Sequence, residues 1–375
     1  VHLEKLTLYN FKNYEDASLG LSAEVNCFFG LNGSGKTNLL DAIYYLSLTK
    51  SASPASDLQN IRQGESQFFI KGQFLIKKNQ TEVLCSFIQG SKKLMSEDGN
   101  EYKKMAEHIG KYPLVLIAPN DIELIWDGSE QRRKFFDGLL SQMDHTYLEN
   151  LITYTQLLRQ RNGMLKLFSE RGSVDQDLLD SYDDALIPAA NFIHATRKSF
   201  LTKYHPLFEK WYKQLAGKEA TENVSIGYRS DLEEVDYADL LKKNLQRDIL
   251  LQRTTSGIHR DDFLFSLNTG ELKKFGSQGQ QKSFLIGLKL AEFQMLAQAT
   301  KKKPLLLLDD IFDKLDDTRI IKLMSLISDG NFGQIFITDA RSGRSREILK
   351  EAGVKARIFE VENGKVVVST LVFSS

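Results

Sequence analysis

The segment Gly30-Leu31-Asn32-Gly33-Ser34-Gly35-Lys36-Thr37 has the spacing G-x-x-x-x-G-K-[ST] and stands between an apolar run, Val25–Phe29, and a helical stretch at 38–46. Three glycines let the backbone curl until successive amides point inward, and the following helix adds partial positive charge at its amino end. Such a cradle suits the phosphates of a nucleotide. Lys36 would neutralise the β- and γ-phosphates and Thr37 would ligate Mg²⁺, so the expected cofactors are ATP and Mg²⁺. Gly30, Asn32, Gly33, Ser34, Gly35, Lys36, Thr37 and Asn38 are the expected nucleotide contacts. A glycine turn with no ligand is the simpler reading, and the strand–loop–helix context goes against it.

Pro304-Leu305-Leu306-Leu307-Leu308-Asp309-Asp310 reads as a strand buried on both faces with two acids at its carboxyl end, where open α/β sheets hold their ligands. Asp309 is expected to hold Mg²⁺ through water and Asp310 to polarise the attacking water. In isolation such a pair would be an ordinary helix cap. Asp309 lies 273 residues after Lys36, so a large insertion must leave the sheet and return. Both chain ends then build one head. Ahead of the acidic strand, Ser277-Gln278-Gly279-Gln280 precedes an amphipathic stretch with Phe284, Leu288, Ala291 and Met295 on one stripe. A hydroxyl, backbone amides and a helix amino end make a second anion site there, or else a plain helix cap. Since one cradle already serves the nucleotide, the spare site fits the γ-phosphate of a partner subunit's ATP.

The first 120 residues read as short strands at 3–9, 24–29, 68–77, 81–88 and 113–117, with a hairpin at Asp98-Gly99-Asn100. From Ser129, a candidate N-cap, to Gly217 the texture is helical, broken near Arg171-Gly172-Ser173 and bent at Pro188. A strand at 224–228 and a helix at 236–252 follow. The last third alternates strand and helix (263–268, 280–299, 305–308, 318–328, 334–338, 342–352 and 366–372), the pattern of a parallel sheet with covering helices. The expected division is a discontinuous head, 1–128 and 253–375, and an inserted helical arm, 129–252.

Charge narrows the choice of partners. With 49 Lys+Arg against 49 Asp+Glu the net charge is zero, which excludes attachment to nucleic acid by bulk charge. Any such contact must be a local patch, and the candidates are Arg132, Arg133 and Lys134 at one helix start and Arg159, Arg161 and Lys166 along the arm; the bland account is a solvated face paired with acids. Tyr147, Tyr154 and Phe168 fit the arm's core better than base stacking. Cys27 and Cys85 lie in strands with no disulfide or metal-ligand spacing, as expected of buried thiols in a reducing compartment. The first residues lack a secretion pattern and no apolar run approaches the ~20 residues of a membrane span, so a cytoplasmic location with no membrane is expected.

Together these residues resemble the ABC-type ATPase heads of the SMC class, and within it the bacterial recombination mediators. The likeness covers nearly the whole chain. It includes Leu8-Tyr9-Asn10-Phe11-Lys12-Asn13-Tyr14, the loop with its tail Asn38-Leu39-Leu40-Asp41-Ala42-Ile43, and Ala118-Pro119-Asn120-Asp121. It continues through Gly128-Ser129, Arg132-Arg133, Asp137, Gln160-Arg161-Asn162, His259-Arg260-Asp261-Asp262, the Ser277 turn and Leu308-Asp309-Asp310. The resemblance implies an α/β P-loop NTPase of ABC/SMC-head type, with mixed sheets from both chain ends and a mostly helical inserted arm. It implies a weak, DNA-stimulated ATPase that forms an ATP-dependent homodimer and helps load recombinase at gapped DNA or at junctions of single and double strands. RecR is the implied partner, with RecO in the same pathway.

Residue by residue, Lys36, Thr37 and Asp309 inherit the nucleotide and metal roles, Asp310 the place of the catalytic acid, and Ser277 and Gln280 the contact across the dimer. Lys12 and Asn13 match a segment beside the nucleotide, or form a strand-end turn. Asn120 stands where related ATPases place a Gln that senses Mg²⁺. Asp339 takes the place of a transporter switch histidine and either contacts the γ-phosphate or caps a helix. Ile258 replaces a usual Pro before His259, which is either structural or catalytic. The rival from another class is a transporter ATPase subunit, which would need a shorter spacing between loop and acidic strand; in a metabolite kinase the Ser277 turn would be superfluous.

Overall fold

Period-two alternation in β1 (His2–Phe11) buries Leu6 and Leu8, and Leu3, beyond a register shift between Leu3 and Lys5, is buried as well. β1 pairs antiparallel with β2 (Tyr14–Gly20). After it, β3 (Val25–Phe29) leads through the glycine loop into α1 (Lys36–Leu48). The first sheet continues from β1 to β4 (Gln67–Ile76), β5 (Asn79–Ile88), β6 (Leu94–Glu97) and β7 (Asn100–Glu101). Asp98 and Gly99, both at positive φ, make the expected last hairpin. β8 (Leu114–Ile117) belongs to a second sheet. The computed structural model describes residues 1–53, 56–216, 222–311, 317–328 and 330–372; the expected helix end at Gly217 lies outside them.

The chain then leaves the sheets through α2 (Glu123–Trp126), α3 (Ser129–Met143), α4 (His145–Arg171) and α5 (Gln176–Ala216). The cap of α3 is Gly128, not Ser129, whose hydroxyl instead accepts from Arg133 at 2.6 Å. Asp144 caps α4 by accepting from the Thr146 and Tyr147 amides, and Gly172, at φ 68, ends it at the expected break. α5 runs through Pro188 and Pro206 without stopping. β9 (Val224–Arg229), α6 (Tyr237–Leu250), β10 (Asp262–Leu267) and β11 (Gly270–Glu271) follow, and the three strands form one antiparallel sheet. Because β10 pairs with β9, the second compact unit, Ile122–Lys210 with Glu219–Phe284, is wider than an arm of 129–252.

Two arginines hold this second unit from inside. Arg161 of α4, 0% exposed, pairs with Asp183 of α5 at 2.6 Å and with Asp248 of α6 at 3.0 Å. Arg197 of α5 pairs with Asp137 of α3 at 2.8 Å and Asp261 at 2.7 Å, and also donates to the Ile258 carbonyl. Arg161 is therefore withdrawn from the DNA candidates, since a guanidinium this deep with two carboxylates cannot reach a phosphate.

After α7 (Leu272–Phe275) the chain returns to the first unit, Val1–Asp121 with Trp211–Lys218 and Leu285–Ser375, partway along α8 (Gln278–Thr300). β12 (Leu305–Leu308) enters between β8 and β13 (Ile335–Asp339); β14 (Ala356–Glu362), a strand absent from the sequence reading, joins beside β3, and β15 (Lys365–Val372) closes the edge. The order is β15-β14-β3-β13-β12-β8, parallel except at β15. All four leucines of β12 are fully buried, which accounts for its unbroken apolar run. α1 contributes Leu39, Ile43 and Leu46 to a core shared with both six-stranded sheets, so it is apolar nearly all round. Buried Gln334 stitches the chain ends together: it accepts from the Leu3 amide at 2.6 Å and donates to the Leu3 and Ser22 carbonyls. Arg197→Leu should lower stability by about 3–5 kcal/mol in urea unfolding, because Asp137 and Asp261 would remain buried without their cation; a loss of about 1 kcal/mol or less would mean water already relieves them.

Candidate functional site

The site lies at the carboxyl ends of β3, β12 and β13. Gly35 has φ 116, and a Cβ there would meet the Asn13 amide at 2.5 Å; a Cβ at Gly30 would meet the Val361 carbonyl oxygen at 2.2 Å. Only glycine fits either position. Asn13 accepts from Asn38 at 2.7 Å and donates to the Ser34 carbonyl at 3.1 Å, while Tyr14 donates to the Gly35 carbonyl. These bonds brace the loop from the outside and leave its concave face to a ligand. The Ser34 hydroxyl is buried with no hydrogen-bond partner among the described residues. Lys36 reaches back across the loop to the Gly30 and Leu31 carbonyls at 2.8 and 3.0 Å.

Sheet order brings Asp309 to Thr37, although 272 residues separate them. Thr37 Oγ1 donates to Asp309 Oδ1 at 3.0 Å, and Thr338 Oγ1, at the end of the neighbouring strand, donates to the same oxygen at 2.6 Å. Thr338 in turn accepts from the Asp310 amide at 2.9 Å, fixing Asp310 in the left-handed region at φ 45. A hydroxyl and a carboxylate 3.0 Å apart are hard oxygen donors of the kind Mg²⁺ takes. Thr37 and Asp309 are thus the residues fitted to hold Mg²⁺. A cavity of about 210 Å³ beside them is lined by Lys12, Asp41, Ser53 and Asn120 among others, and one of about 550 Å³ at the glycine loop is lined also by Ala340, Glu360, Val361 and Glu362.

The remaining expected residues fall unevenly. Lys12 pairs with Asp41 at 2.6 Å at the cavity wall, and Asp41 also accepts from Ser51 and the Ala52 amide. The Ser51-Ala52 segment is thus held by a carboxylate. Asp339 turns to Ser345 of the helix Ser342–Glu351, which favours the helix-end account over a phosphate contact. In the second unit, Ser277 and Gln280 cap each other: the Ser277 amide donates to the Gln280 side chain at 2.8 Å and the Gln280 amide to the Ser277 hydroxyl at 3.3 Å. Gln280 also donates to Glu222, so its side chain is committed within the chain while Ser277 and Gln278 are exposed. Arg132 is bound by Asp262 at 2.8 Å and Arg133 by the Asp261 carbonyl; Arg159 and Lys166 are exposed. Tyr147, Tyr154 and Phe168 are buried, as are free Cys27 and Cys85.

Sequence reasoning missed three contributors: Thr338, Asp41 as the partner of Lys12, and Lys289. Asp41 lies one helical turn after Thr37, a spacing that could have shown it. Buried Lys289 pairs with Asp121 at 2.9 Å, and Asp121 accepts from the Ala118 amide, fixing the turn that carries Asn120. Glu292, one turn further along α8, is pushed up to about 7 by burial, against the pull of Lys289.

A glycine cradle, a hydroxyl and a carboxylate at the carboxyl end of a parallel sheet, with a helical insertion between the halves, define a P-loop ATPase head of the ABC/SMC type. Residues 2–366 match the family described as RecF/RecN/SMC N terminal domain. The chain is 44% identical over 362 residues to the DNA replication and repair protein RecF of Flavobacterium johnsoniae, covering 96% of this chain and 100% of that one. It is 43% identical to the RecF of Cytophaga hutchinsonii, covering 98% and 96%. A solved structure described as the recombination mediator protein RecF with ATP in the RecFOR pathway superposes with a TM-score of 0.86 at 28% identity, covering 99% and 97%. The Smc head domain of Pyrococcus furiosus shares the fold, with a TM-score of 0.57 at 16% identity. The chain belongs to the RecF family. The transporter-subunit reading finds no support in these relatives.

His259 illustrates how the geometry decides a role. Its Nδ1 accepts from Tyr154 at 2.7 Å and its Nε2 donates to the Thr254 carbonyl at 3.1 Å, so both nitrogens are spent on one neutral tautomer. Burial pushes the imidazole down to about 4. A ¹⁵N NMR titration should find it neutral and Nε2-protonated as pH falls through the ordinary value of about 6.5; protonation with a midpoint there would restore His259 as a candidate acid or base.

Proposed function

We propose that the protein is an ATP-switched, DNA-binding repair protein that dimerises around ATP and helps load recombinase at gapped or junction DNA. The observation that carries this reading is the Asp309 carboxylate, held by hydroxyls from Thr37 and Thr338 beside a cradle that only glycines can form. Bound ATP with Mg²⁺ supplies the phosphoryl group whose hydrolysis resets the switch. Lys36, already aimed across the loop, neutralises phosphate charge, while Thr37 and Asp309 hold the metal. Asp310, fixed through its amide, orients the attacking water, and Asn120 lines the same cavity. Hydrolysis is weak and rises when DNA binds.

Ser277 serves the partner's nucleotide. Its oxygen accepts from the Gln280 amide, so its own proton remains available to an anion, and the amides of Gln278 and Gly279 lie at the start of the long helix α8. The commitment of Gln280 within the chain makes it a brace for Ser277. For DNA, exposed Arg159 and Lys166 are seven residues apart on α4, two turns along one face and about 10 Å from each other. They are better placed for phosphates than Arg132 and Arg133, which are bound to the acids before and within β10. The names of the relatives support DNA repair as the setting, and the RecFOR pathway in the solved structures' description supports RecR as a partner, with RecO in the same pathway.

Sedimentation velocity with and without ATP tests the composite site. The wild type should shift from monomer to dimer with ATP and Lys36→Ala should not, while Ser277→Arg should bind nucleotide yet stay monomeric; dimerisation of Ser277→Arg equal to wild type would sink the trans contact. Arg159→Glu with Lys166→Glu should weaken duplex binding and reduce the salt slope by about 2, one for each lost phosphate contact. An unchanged slope would move the DNA path off α4.

A further inference from the structure

Three large apolar side chains stand out among the described residues for their exposure: Leu31 at 81%, Leu250 at 79% and Phe275 at 70%. Two of the three flank the two anion sites. Leu31 is the second residue of the glycine loop, and Phe275 ends α7, two residues before Ser277. A single exposed apolar side chain needs no explanation; a pair placed at the two halves of one proposed contact does. Phe275 is also braced from one side. A Cβ on Gly270 of β11 would meet its ring at 2.4 Å, so the ring rests on bare backbone while most of the side chain stays in solvent.

Chain geometry limits where Phe275 can go. Two residues span at most about 7 Å, so a Ser277 hydroxyl on the partner's γ-phosphate brings Phe275 to the rim of the partner's glycine loop. Two cavities border that rim. The one of about 210 Å³ carries Lys12 and no exposed large apolar side chain. The one of about 550 Å³ is lined by Leu31 and, on β14, by Glu360 and Glu362, with no lysine or arginine in its described lining. Arg346 holds Glu360 at 2.6 Å, whereas Glu362 is exposed and makes no ion pair among the described residues. The segment that ends in Phe275 has the opposite sign, with Lys273 and Lys274 just before the ring. Lys274 pairs with Glu271 at 3.0 Å, both side chains being exposed, and such a bond exchanges at little cost.

We propose that in the ATP-bound pair Phe275 of each copy seats in the cavity of about 550 Å³ on the other, against the partner's Leu31, with Lys274 beside the partner's Glu362. The proposal rests on the ATP-dependent dimer argued above and adds what holds it besides phosphate. A two-fold pair repeats every contact, so two such seats form in each dimer. Burial of the ring and of Leu31 supplies affinity, and the lysine–glutamate pair sets the register.

Thiol cross-linking on the whole chain tests this, since Cys27 and Cys85 are buried and leave introduced thiols as the reactive ones. Leu31→Cys and Phe275→Cys are made in separate chains and each is checked for ATP binding. Mixed with ATP, Mg²⁺ and a short bis-maleimide, they should give a cross-linked dimer, with about tenfold less of it when nucleotide is withheld or when either variant is used alone. If Leu31→Cys fails to bind ATP, Glu362→Cys replaces it, because Glu362 lines the same cavity from outside the glycine loop. In sedimentation velocity, Phe275→Asp should weaken ATP-dependent association about tenfold or more at unchanged nucleotide affinity. Adding Leu31→Lys to that chain should recover about threefold or more, through a new pair across the interface. A dimer that sediments with ATP but gives no cross-link in the mixed sample removes the seat and leaves the dimer standing. Wild type that stays monomeric with ATP removes both.

Discussion

The contact on which the functional centre depends is the hydroxyl bond from Thr37 to Asp309, made between residues 272 positions apart. The bond exists because β13 lies between β3 and β12, so that three strand ends present Gly30, Thr338 and Asp309 side by side. Thr338 then links two neighbours: its one hydroxyl donates to Asp309 and accepts from the Asp310 amide, coupling the two acids at the end of β12. Gln334, at the other end of that strand, fixes it to Leu3 and Ser22. One short strand thus joins the amino-terminal strands at one end and the acidic pair at the other.

Charge is organised by burial more than by amount. Equal numbers of acids and bases give no net field, yet the second unit spends two arginines and at least four aspartates on its interior, while the amino edge of the parallel sheet gathers lysines with little opposition. A buried guanidinium with two carboxylates specifies which helices meet, because removing one member leaves the others desolvated. The same residue type on a solvent face is free to engage phosphate. Arg161 and Arg159, two positions apart on one helix, differ in this way: the first is buried against two carboxylates and the second is exposed.

Much of the fold was legible because its signals are local. The glycine loop, the leucine run before Asp309, the Asp98-Gly99 turn and the Gly172 break each require only a few neighbouring residues to state their conformation. β14 went unread although Gly353, at φ 65, turns the chain before it, and the cap of α3 falls one residue earlier than Ser129, whose hydroxyl is taken by Arg133. Side-chain partnerships were the weakest part. Whether an arginine on an amphipathic helix is buried depends on which helix lies opposite, and no spacing within α4 encodes the position of Asp248.

From the order of its residues alone, the chain is committed to a phosphate cradle, an acidic strand and a long helical insertion between them, since glycine torsions and apolar runs follow from short-range sterics and solvation. The tertiary arrangement decided the rest: that Asp309 meets Thr37, that His259 bonds through both ring nitrogens, that Asp339 turns to Ser345, and that lysines from three separated segments share one cleft. Each of these is a distance between residues far apart in sequence, and only the folded sheet sets such distances.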